Sequence, residues 1–191
     1  MPQKKFNIKK KFNNIKLLLL DVDGVLTTGK KNYSTKGEVL SKSFCDLDFT
    51  AIKIFKYFGV KTVFISGDKT CNEKIAFYRN IDFIYTRNKN VMIDKVDYLQ
   101  QIEKKYKVNR KEIIFLGDDI FDMKLGLKVG LYCVPKNSFT ELKKKANLVL
   151  ENESGNFLVK EILDKYLKFS KLKLPDPTAI AALEKDEKQK Y

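Results

Sequence analysis

The sequence predicts an α/β fold with a doubly wound parallel sheet. Strand-like and helix-like segments alternate along the chain, which is typical of parallel strands joined by right-handed crossovers. The run Leu17-Leu-Leu-Leu20 lacks polar alternation, as expected for a strand covered on both faces. Several such runs end in small or acidic residues, and ligands of open α/β sheets bind beyond the carboxyl ends of the strands. The sequence therefore predicts one functional edge of a sheet.

The predicted strands are apolar runs bounded by turn residues. The run after Val60 ends in Ser66-Gly-Asp68, the run from Ile113 to Leu116 ends in Gly-Asp-Asp, and the run after Gly130 ends at a proline. On this basis we expect strands at 16–21, 61–66, 82–85, 113–117, 130–134 and 147–150.

Helical patterns follow most of these strands. The segment that begins at Ile93 opens one such pattern, and two prolines between Lys171 and Thr178 interrupt the last one. We expect helices at 49–57, 70–79, 93–106, 120–128, 138–146 and 156–168, and a short amphipathic helix at 179–190.

Three parts of the chain differ in composition. Residues 1–14 carry five lysines and no acid, so we expect a loosely held basic arm there. Residues 15–168 form the predicted α/β domain, and 169–191 form a C-terminal tail. Within the domain, 28–39 is polar and rich in turn residues, which predicts a β-hairpin flap.

Two carboxylates follow the first strand in the segment Asp21-Val-Asp-Gly24. In an extended segment, side chains at i and i+2 share a face, so Asp21 and Asp23 can converge on one ligand. Carboxylates that lie so close repel each other unless a cation sits between them. The alternative is that the segment is only a turn, because Asp and Gly are turn residues.

A second acidic cluster, Asp118, Asp119 and Asp122, follows the strand that ends at Leu116. Mg²⁺ prefers oxygen ligands and is usually bound through one or two carboxylates together with waters and phosphate oxygens. The ends of neighbouring strands would bring Asp21 and Asp118 together, which predicts a Mg²⁺ site. Asp119 or Asp122 could instead cap the helix that begins near residue 120.

Ser66 and Lys95 are candidates for binding a phosphoryl group. The Ser66 hydroxyl and the backbone amides around Gly67 offer fixed dipoles to phosphoryl oxygens, and Lys95 offers a full positive charge. The alternatives are a turn residue for Ser66 and a solvated surface lysine for Lys95.

These motifs, in this order, resemble those of the haloacid dehalogenase superfamily of phosphotransferases. The resemblance covers about residues 15–167 and implies that Asp21 attacks phosphorus to form an aspartyl phosphate. It also implies that Asp23 acts as general acid and base, and that Ser66 and Lys95 hold the transferring group. Mg²⁺ would be held by Asp21, by the backbone carbonyl of Asp23 and by Asp118, with Asp119 and Asp122 as further members of the metal site.

The spacing of the motifs leaves no room for the cap domain that many members of the superfamily insert. Asp21 and Ser66 are 45 positions apart and Lys95 and Asp118 only 23, so the fold is expected to be a HAD-like Rossmannoid domain without a cap. The chain is similar to the capless branch that includes phosphatases of 3-deoxy-D-manno-octulosonate 8-phosphate and of acylneuraminate 9-phosphates. That resemblance implies a sugar phosphate substrate and a homotetramer in which the flaps pack together.

The segment expected to face the substrate departs from this branch. Its Arg-Asp-Gly-x-Gly element aligns with Leu47-Asp48-Phe-Thr-Ala51, so Asp48 is kept and the arginine is lost. Asp68 stands where the branch has an arginine. Losing guanidinium groups weakens the recognition of acidic sugars, and Lys69 and Lys74 are the candidates to substitute.

Composition limits the remaining possibilities. The net charge is +14, but only three of the 38 basic residues are arginines and the lysines are scattered, so we do not expect nucleic acid as a partner. A phosphatase of nucleic-acid 3′ ends and a non-catalytic oligomerisation module remain alternatives. The three cysteines are an odd number without metal-site spacing, and there is no secretory signal or membrane span, which predicts a cytoplasmic protein.

Overall fold

The central sheet has six parallel strands, and helices cover both of its faces. The computed structural model describes residues 8–89 and 91–187. Within these ranges the strands are β1 (Leu17–Leu20), β2 (Asn32–Tyr33), β3 (Val39–Ser41), β4 (Lys61–Ser66), β5 (Asp82–Tyr85), β6 (Arg87–Asn88), β7 (Val91–Met92), β8 (Ile113–Leu116), β9 (Leu131–Val134) and β10 (Leu148–Val149). The sheet order β10-β9-β8-β1-β4-β5 places β1 between β8 and β4.

All six strands predicted for the sheet are present, and their bounds differ from the prediction by at most one residue at either end. The α-helices are α1 (Ile8–Phe12), α2 (Asp46–Tyr57), α3 (Thr70–Tyr78), α4 (Leu99–Tyr106), α5 (Met123–Gly126), α6 (Thr140–Lys145), α7 (Leu158–Ser170) and α8 (Pro177–Ala182). Short 3₁₀ turns at Lys95–Tyr98 and Ile120–Asp122 lead into α4 and α5, where we had expected continuous helices.

Strand β1 is buried on both faces, which explains its four consecutive leucines. Leu18 and Leu20 belong to the core beneath α2 and α7, whereas Leu17 and Leu19 belong to the core beneath α4. All four side chains are fully buried. The central position of β1 brings Asp21, the next residue, to the middle of the carboxyl edge of the sheet.

The flap is a short antiparallel hairpin of β2 and β3, as predicted, although it extends to Ser41. A second hairpin, formed by β6 and β7, follows β5 and was not predicted. Its strands are two residues long, which is too short for an apolar pattern to be recognisable in the sequence.

The prediction of a loosely held arm is wrong for residues 8–14, while residues 1–7 lie outside the described part. Phe12 of α1 is fully buried, and its ring centroid lies 5.4 Å from that of Phe169. Ile8 packs against the same core, and the four-residue spacing of Ile8 and Phe12 places both side chains on one helix face. Burial of this face holds the segment against α7.

The tail also packs on the domain, through α8 and a 3₁₀ turn at Leu183–Asp186. Glu187 lies 3.3 Å from Arg79 and 3.4 Å from Lys53, both ion-pair distances. The helix predicted at 179–190 is therefore shorter and begins earlier, and residues 188–190 of that prediction lie outside the described residues. None of the helices within the described ranges is both long and apolar enough to cross a membrane.

Phe115 of β8 provides a test of this core. Its ring stacks on that of Tyr132, with centroids 5.9 Å apart, and it is fully buried. We expect Phe115→Ala to lower the free energy of unfolding by about 3–5 kcal/mol, because it leaves a cavity. The exposed control Phe139→Ala should change it by less than about 0.5 kcal/mol in urea denaturation. Equal effects of the two substitutions would contradict this description of the core.

Candidate active site

The turn after β1 places Asp21 at the centre of the site. The carbonyl of Val22 accepts hydrogen bonds from the amides of Val25, Leu26 and Thr27, which turns the chain sharply away from the strand. Gly24 has a φ of +87°, and a Cβ at this position would lie 1.9 Å from Asp118 Oδ2. Only glycine lets this turn approach the second acidic cluster so closely.

Lys95 is a buried cation between two buried acids. Its Nζ lies 2.8 Å from Asp21 Oδ1 and 2.6 Å from Asp122 Oδ1. Burial favours the neutral amine, but the charges of Asp21 and Asp122 outweigh it and raise the pKa of Lys95 above its ordinary value. Lys95 is therefore charged, and it is not the solvated surface lysine that the sequence allowed.

Asp122 organises the loop after β8. Its Oδ2 accepts hydrogen bonds from the amides of Asp118, at 3.0 Å, and Asp119, at 3.1 Å, while its Oδ1 faces Lys95. The Asp119 carboxylate accepts a hydrogen bond from the amide of Ile120, so Asp119 and Asp122 form a reciprocal capping box at the 3₁₀ turn. Both residues thus cap this turn, whereas the sequence predicts them as members of the metal site and allows capping for one of them.

Three carboxylates converge at the centre of this edge. One oxygen atom from each of Asp21, Asp118 and Asp122 lies within 4.8 Å of the others, a spacing that could hold a metal ion. Asp118 Oδ1 is buried and has no hydrogen-bond partner among the described residues. Burial and then the neighbouring acids raise the pKa of Asp118, and burial and Asp122 raise that of Asp21 against the opposing charge of Lys95. Oxygen donors with this excess of negative charge fit a hard divalent cation.

Ser66 is the last residue of β4, which pairs with β1, the strand that Asp21 follows. Its Oγ accepts hydrogen bonds from the amide of Asp68, at 3.1 Å, and from Asn72 Nδ2, at 3.2 Å. Since both of these bonds use the hydroxyl oxygen as acceptor, the hydroxyl proton remains to be donated.

A second charge cluster joins the flap to the loop after β4. Lys42, whose side chain is 0% exposed, lies 2.8 Å from Asp23 Oδ1 and 2.9 Å from Asp68 Oδ2. Lys31 lies 2.7 Å from the same oxygen of Asp68, and Asn72 bonds both Asp23 and Lys42. Two lysines thus neutralise two aspartates and hold the flap against the site.

Residues of both charge clusters line an open cavity of about 830 Å³ at the carboxyl edge of the sheet, although Lys42, Asn72 and Asp118 are not in its wall. Asp21, Asp23, Ser66 and Lys95 lie in its wall, so the structure brings the four predicted catalytic residues together. Its other charged lining residues include Lys31, Asp68, Lys69, Glu73, Lys74, Arg87, Asp119 and Asp122.

No protein-family model matches the chain. The KdsC 3-deoxy-D-manno-octulosonate 8-phosphate phosphatase of Escherichia coli K12 is 30% identical over 155 residues, which cover 81% of this chain and 80% of the relative. The chain belongs to the haloacid dehalogenase superfamily, in its capless KdsC-like branch. It is accordingly a phosphoric monoester hydrolase by family.

Solved structures of KdsC-like phosphatases have the same fold. The Moraxella catarrhalis enzyme, in complex with magnesium, phosphate and a KDO molecule, has a TM-score of 0.77 and 25% identity, and the match covers 86% of this chain and 92% of that one. The cobalt-bound Haemophilus influenzae enzyme has a TM-score of 0.77 and 25% identity, with coverage of 84% and 92%.

Asp48 does not lie among the residues that line the cavity of this KdsC-like protein. It is buried on α2, and its Oδ1 accepts a hydrogen bond from the amide of Lys160, at 3.0 Å, in the first turn of α7. Burial raises the pKa of Asp48 despite this bond and those from the amides of Val159 and Leu158. The structure therefore does not support the predicted contact of Asp48 with the substrate, because this carboxylate bonds α2 to α7.

Asp21 and Asp23 face different partners, although both line the cavity. The sharp turn at Val22 ends the extended backbone on which their predicted convergence depended. The carboxylate of Asp23 bonds Lys42 and Asn72 and is not in the acidic group that could hold a metal, and neither is that of Asp119. Gly67 and Lys69, which the sequence predicts as substrate-binding residues, lie in the wall of the cavity.

Lys31, Lys42, Asn72 and Arg87 are residues of the site that sequence reasoning missed. The lysines are hard to single out among 38 basic residues, and Asn72 stands inside a helical pattern. For Arg87 there is a signal, since it is one of only three arginines and follows the end of β5.

We expect Lys95→Met to lower phosphatase kcat by at least about 100-fold, because it removes a cation fixed beside the Asp21 carboxylate in the cavity wall. It should also destabilise the fold by about 3 kcal/mol, since Asp21 and Asp122 stay buried without that charge. The double variant Lys95→Met/Asp122→Asn should regain part of the stability but none of the activity. The exposed control Lys124→Met should change neither, and recovery of activity in the double variant would contradict a direct role for Lys95.

Asp68 tests the cluster that holds the flap. Burial opposes its charge, but hydrogen bonds from Lys31, Thr70 and Lys42 lower the pKa of Asp68 below its ordinary value. The charged form therefore favours folding above about pH 4, and this contribution is lost as the pH falls further. We expect Asp68→Asn to cost about 1–3 kcal/mol at pH 7, with the difference shrinking towards pH 3. The measurement is urea denaturation across this pH range, with Glu141→Gln as an exposed control. A difference in the free energy of unfolding that does not change with pH would contradict the pairing of Asp68 with the two lysines.

Proposed function

We propose that this chain is a Mg²⁺-dependent sugar phosphate phosphatase that acts through an aspartyl phosphate on Asp21. The observation that carries the proposal is the arrangement around Asp21. A buried carboxylate lies in the cavity wall beside a charged lysine. The same acidic group contains a buried oxygen of Asp118 that has no hydrogen-bond partner among the residues the structure describes. Because Asp21 lines a cavity of about 830 Å³, its carboxylate can contact a phosphate ester bound there.

In the first step, a carboxylate oxygen of Asp21 attacks phosphorus and the bond between phosphorus and the sugar oxygen breaks. Asp23 donates a proton to the departing sugar oxygen. In the second step, Asp23 takes a proton from water as the water oxygen attacks the aspartyl phosphate, so phosphate leaves and Asp21 is regenerated. Lys42 and Asn72 contact the Asp23 carboxylate and would hold it in position for both transfers.

Lys95 and Ser66 would hold the transferring group. The ammonium group of Lys95 already contacts Asp21, so a phosphoryl group that approaches Asp21 also approaches this charge. The Ser66 hydroxyl proton is available for a phosphoryl oxygen, as argued above. Fixed donors of this kind stabilise the charge that develops during transfer without having to reorient.

We further propose that the carboxylates of Asp21 and Asp118 and the backbone carbonyl of Asp23 bind Mg²⁺. The bound cation would neutralise charge on the phosphoryl group and align it with Asp21. Asp122 has a different part in this proposal, because both of its oxygens already accept hydrogen bonds from Lys95 and from two backbone amides. It would position Lys95 and Asp118, and Asp119 would cap the loop.

An acidic sugar phosphate, such as a 3-deoxyoctulosonate 8-phosphate or an acylneuraminate 9-phosphate, is the substrate class that we propose. The support is the name of the E. coli relative and the KDO molecule in the M. catarrhalis structure. The net charge of +14 would attract such anions. We also propose a homotetramer closed by the flaps, because Tyr33 and Leu40 of the flap are 59% and 67% exposed and the cavity is open.

The test is phosphate release from acidic and neutral sugar phosphates and from 3′-phosphorylated oligonucleotides, with Mg²⁺ or with EDTA. We expect EDTA to abolish release, Mg²⁺ to restore it, and Asp21→Asn to reduce kcat by at least about 1,000-fold. The control Asp164→Asn changes an exposed aspartate of α7 and should keep full activity.

Each other outcome of this assay has a definite meaning. Activity that survives in Asp21→Asn would exclude the aspartyl phosphate, and activity that survives in EDTA would exclude the metal. Release from oligonucleotides alone would replace the sugar substrate with nucleic-acid ends. No release from any substrate by folded wild-type protein would favour the oligomerisation module.

A further inference from the structure

The hairpin of β6 and β7 places Arg87 beside the loop that follows Ser66. The amide of Thr86 donates a hydrogen bond to the carbonyl of Ser66 at 3.0 Å, and the amide of Ile93 donates one to the carbonyl of Thr86 at 2.8 Å. The base of the hairpin is therefore fixed to the end of β4, which is the strand that carries the proposed phosphoryl-binding serine.

The side chain of Arg87 is also fixed, although it is exposed. Its Nε donates a hydrogen bond of 2.7 Å to the carbonyl of Gly67, and Nη2 lies 4.0 Å from the position that a Cβ on Gly67 would occupy. The guanidinium group thus lies against the loop and in the wall of the cavity. Because Nε makes this bond, the N–H donors on the two Nη atoms remain for a ligand.

Most of the other cations at the cavity have acidic partners. Lys95 contacts two acids, Lys31 contacts Asp68, and Lys69 lies 3.5 Å from Glu73. Across the described ranges, Arg87 makes no ion pair with a carboxylate. The same is true of Lys74, but no described contact holds its flexible side chain in one place. Arg87 is therefore the cation that is both fixed at this cavity and free of an acidic partner in the described structure.

The lysines at the flap, Lys31 and Lys42, already pair with acids, chiefly with Asp68. Lys31 and Lys42 both contact its Oδ2, and Lys42 also contacts Asp23, so their charges are used within the cluster. A cavity of about 830 Å³ is much larger than a phosphate group and has room for a sugar with a second anionic group.

We propose that Arg87 is a specificity-determining residue that binds the carboxylate of an acidic sugar phosphate. A guanidinium group recognises a planar carboxylate through two parallel hydrogen bonds, and its remaining donors allow this geometry. The proposal rests on the proposed function and assigns to Arg87 the recognition of the part of the substrate that does not react.

The experiment compares Arg87→Gln and Arg87→Lys with the wild type on three substrates. They are 3-deoxy-D-manno-octulosonate 8-phosphate, the neutral sugar glucose 6-phosphate, and p-nitrophenyl phosphate. We expect Arg87→Gln to lower kcat/KM for the acidic substrate roughly 10- to 100-fold, mainly through KM, and to change the other two less than about 3-fold. Arg87→Lys should lie between, because it keeps the charge but loses the paired donors.

The matched control is Arg110→Gln, which removes an exposed arginine that pairs with Glu103 and does not line the cavity. It should leave all three rates unchanged. An equal loss on all three substrates in Arg87→Gln would overturn the proposal, because Arg87 would then act on the phosphoryl group or on its loop. No loss on the acidic substrate would also overturn it.

A binding measurement separates this inference from the proposed function. If the wild type hydrolyses none of the three substrates, the phosphatase proposal fails, and calorimetric titration with unphosphorylated 3-deoxy-D-manno-octulosonate tests Arg87 alone. At least about 10-fold weaker binding by Arg87→Gln would support the carboxylate contact. Equal binding by both proteins, or binding by neither, would overturn it.

Discussion

The ion pairs of Lys95 with Asp21 and Asp122 are the constraint on which the rest of the site depends. Burying a carboxylate costs free energy unless a cation or hydrogen bonds compensate for it, and this edge of the sheet buries Asp21 and Asp122 beside the half-buried Asp118. Lys95 compensates for two of them, and the amides of the loop after β8 compensate further for Asp122. The buried oxygen of Asp118 keeps no such partner among the described residues, and this is the oxygen at which a divalent cation is most needed.

This arrangement needs the precise position of β1 in the sheet. The strand lies between β4, which ends at Ser66, and β8, which leads to the Asp118 loop, so Asp21 follows the strand between these two groups. The leucines of β1 fill both layers of the core, which leaves the strand no freedom to slide without exposing them. Core packing therefore sets the separation of Asp21, Ser66 and Asp118 at this edge of the sheet.

The charged residues around the cavity differ from those that the family resemblance implied. Asp68 places a negative charge where the resemblance implied an arginine. Lys31 and Lys42, from the flap and its end, form ion pairs with this charge. These contacts hold the flap against the site within a single chain. Arg87 lies on the hairpin of β6 and β7, in a different part of the chain, and it places a guanidinium group in the wall of the cavity. A loss that is visible in an aligned motif can thus be offset in space by a residue that no motif contains.

The sequence by itself determined the sheet, its strands and the acids at its carboxyl edge. Apolar runs that end next to Asp21, Ser66 and Asp118 are local signals in the sequence. A run without polar alternation predicts a strand buried on both faces, whichever strands pair with it. Only the tertiary structure decided the partners of each charge. In the sequence Lys42 cannot be told from the other lysines, and nothing there shows that Arg87 contacts the loop after Ser66. Asp48 was expected to contact the substrate because of the resemblance, but it holds α2 to α7. The physical reason is that ion pairing depends on distances between segments far apart in the chain, and those distances are set by packing.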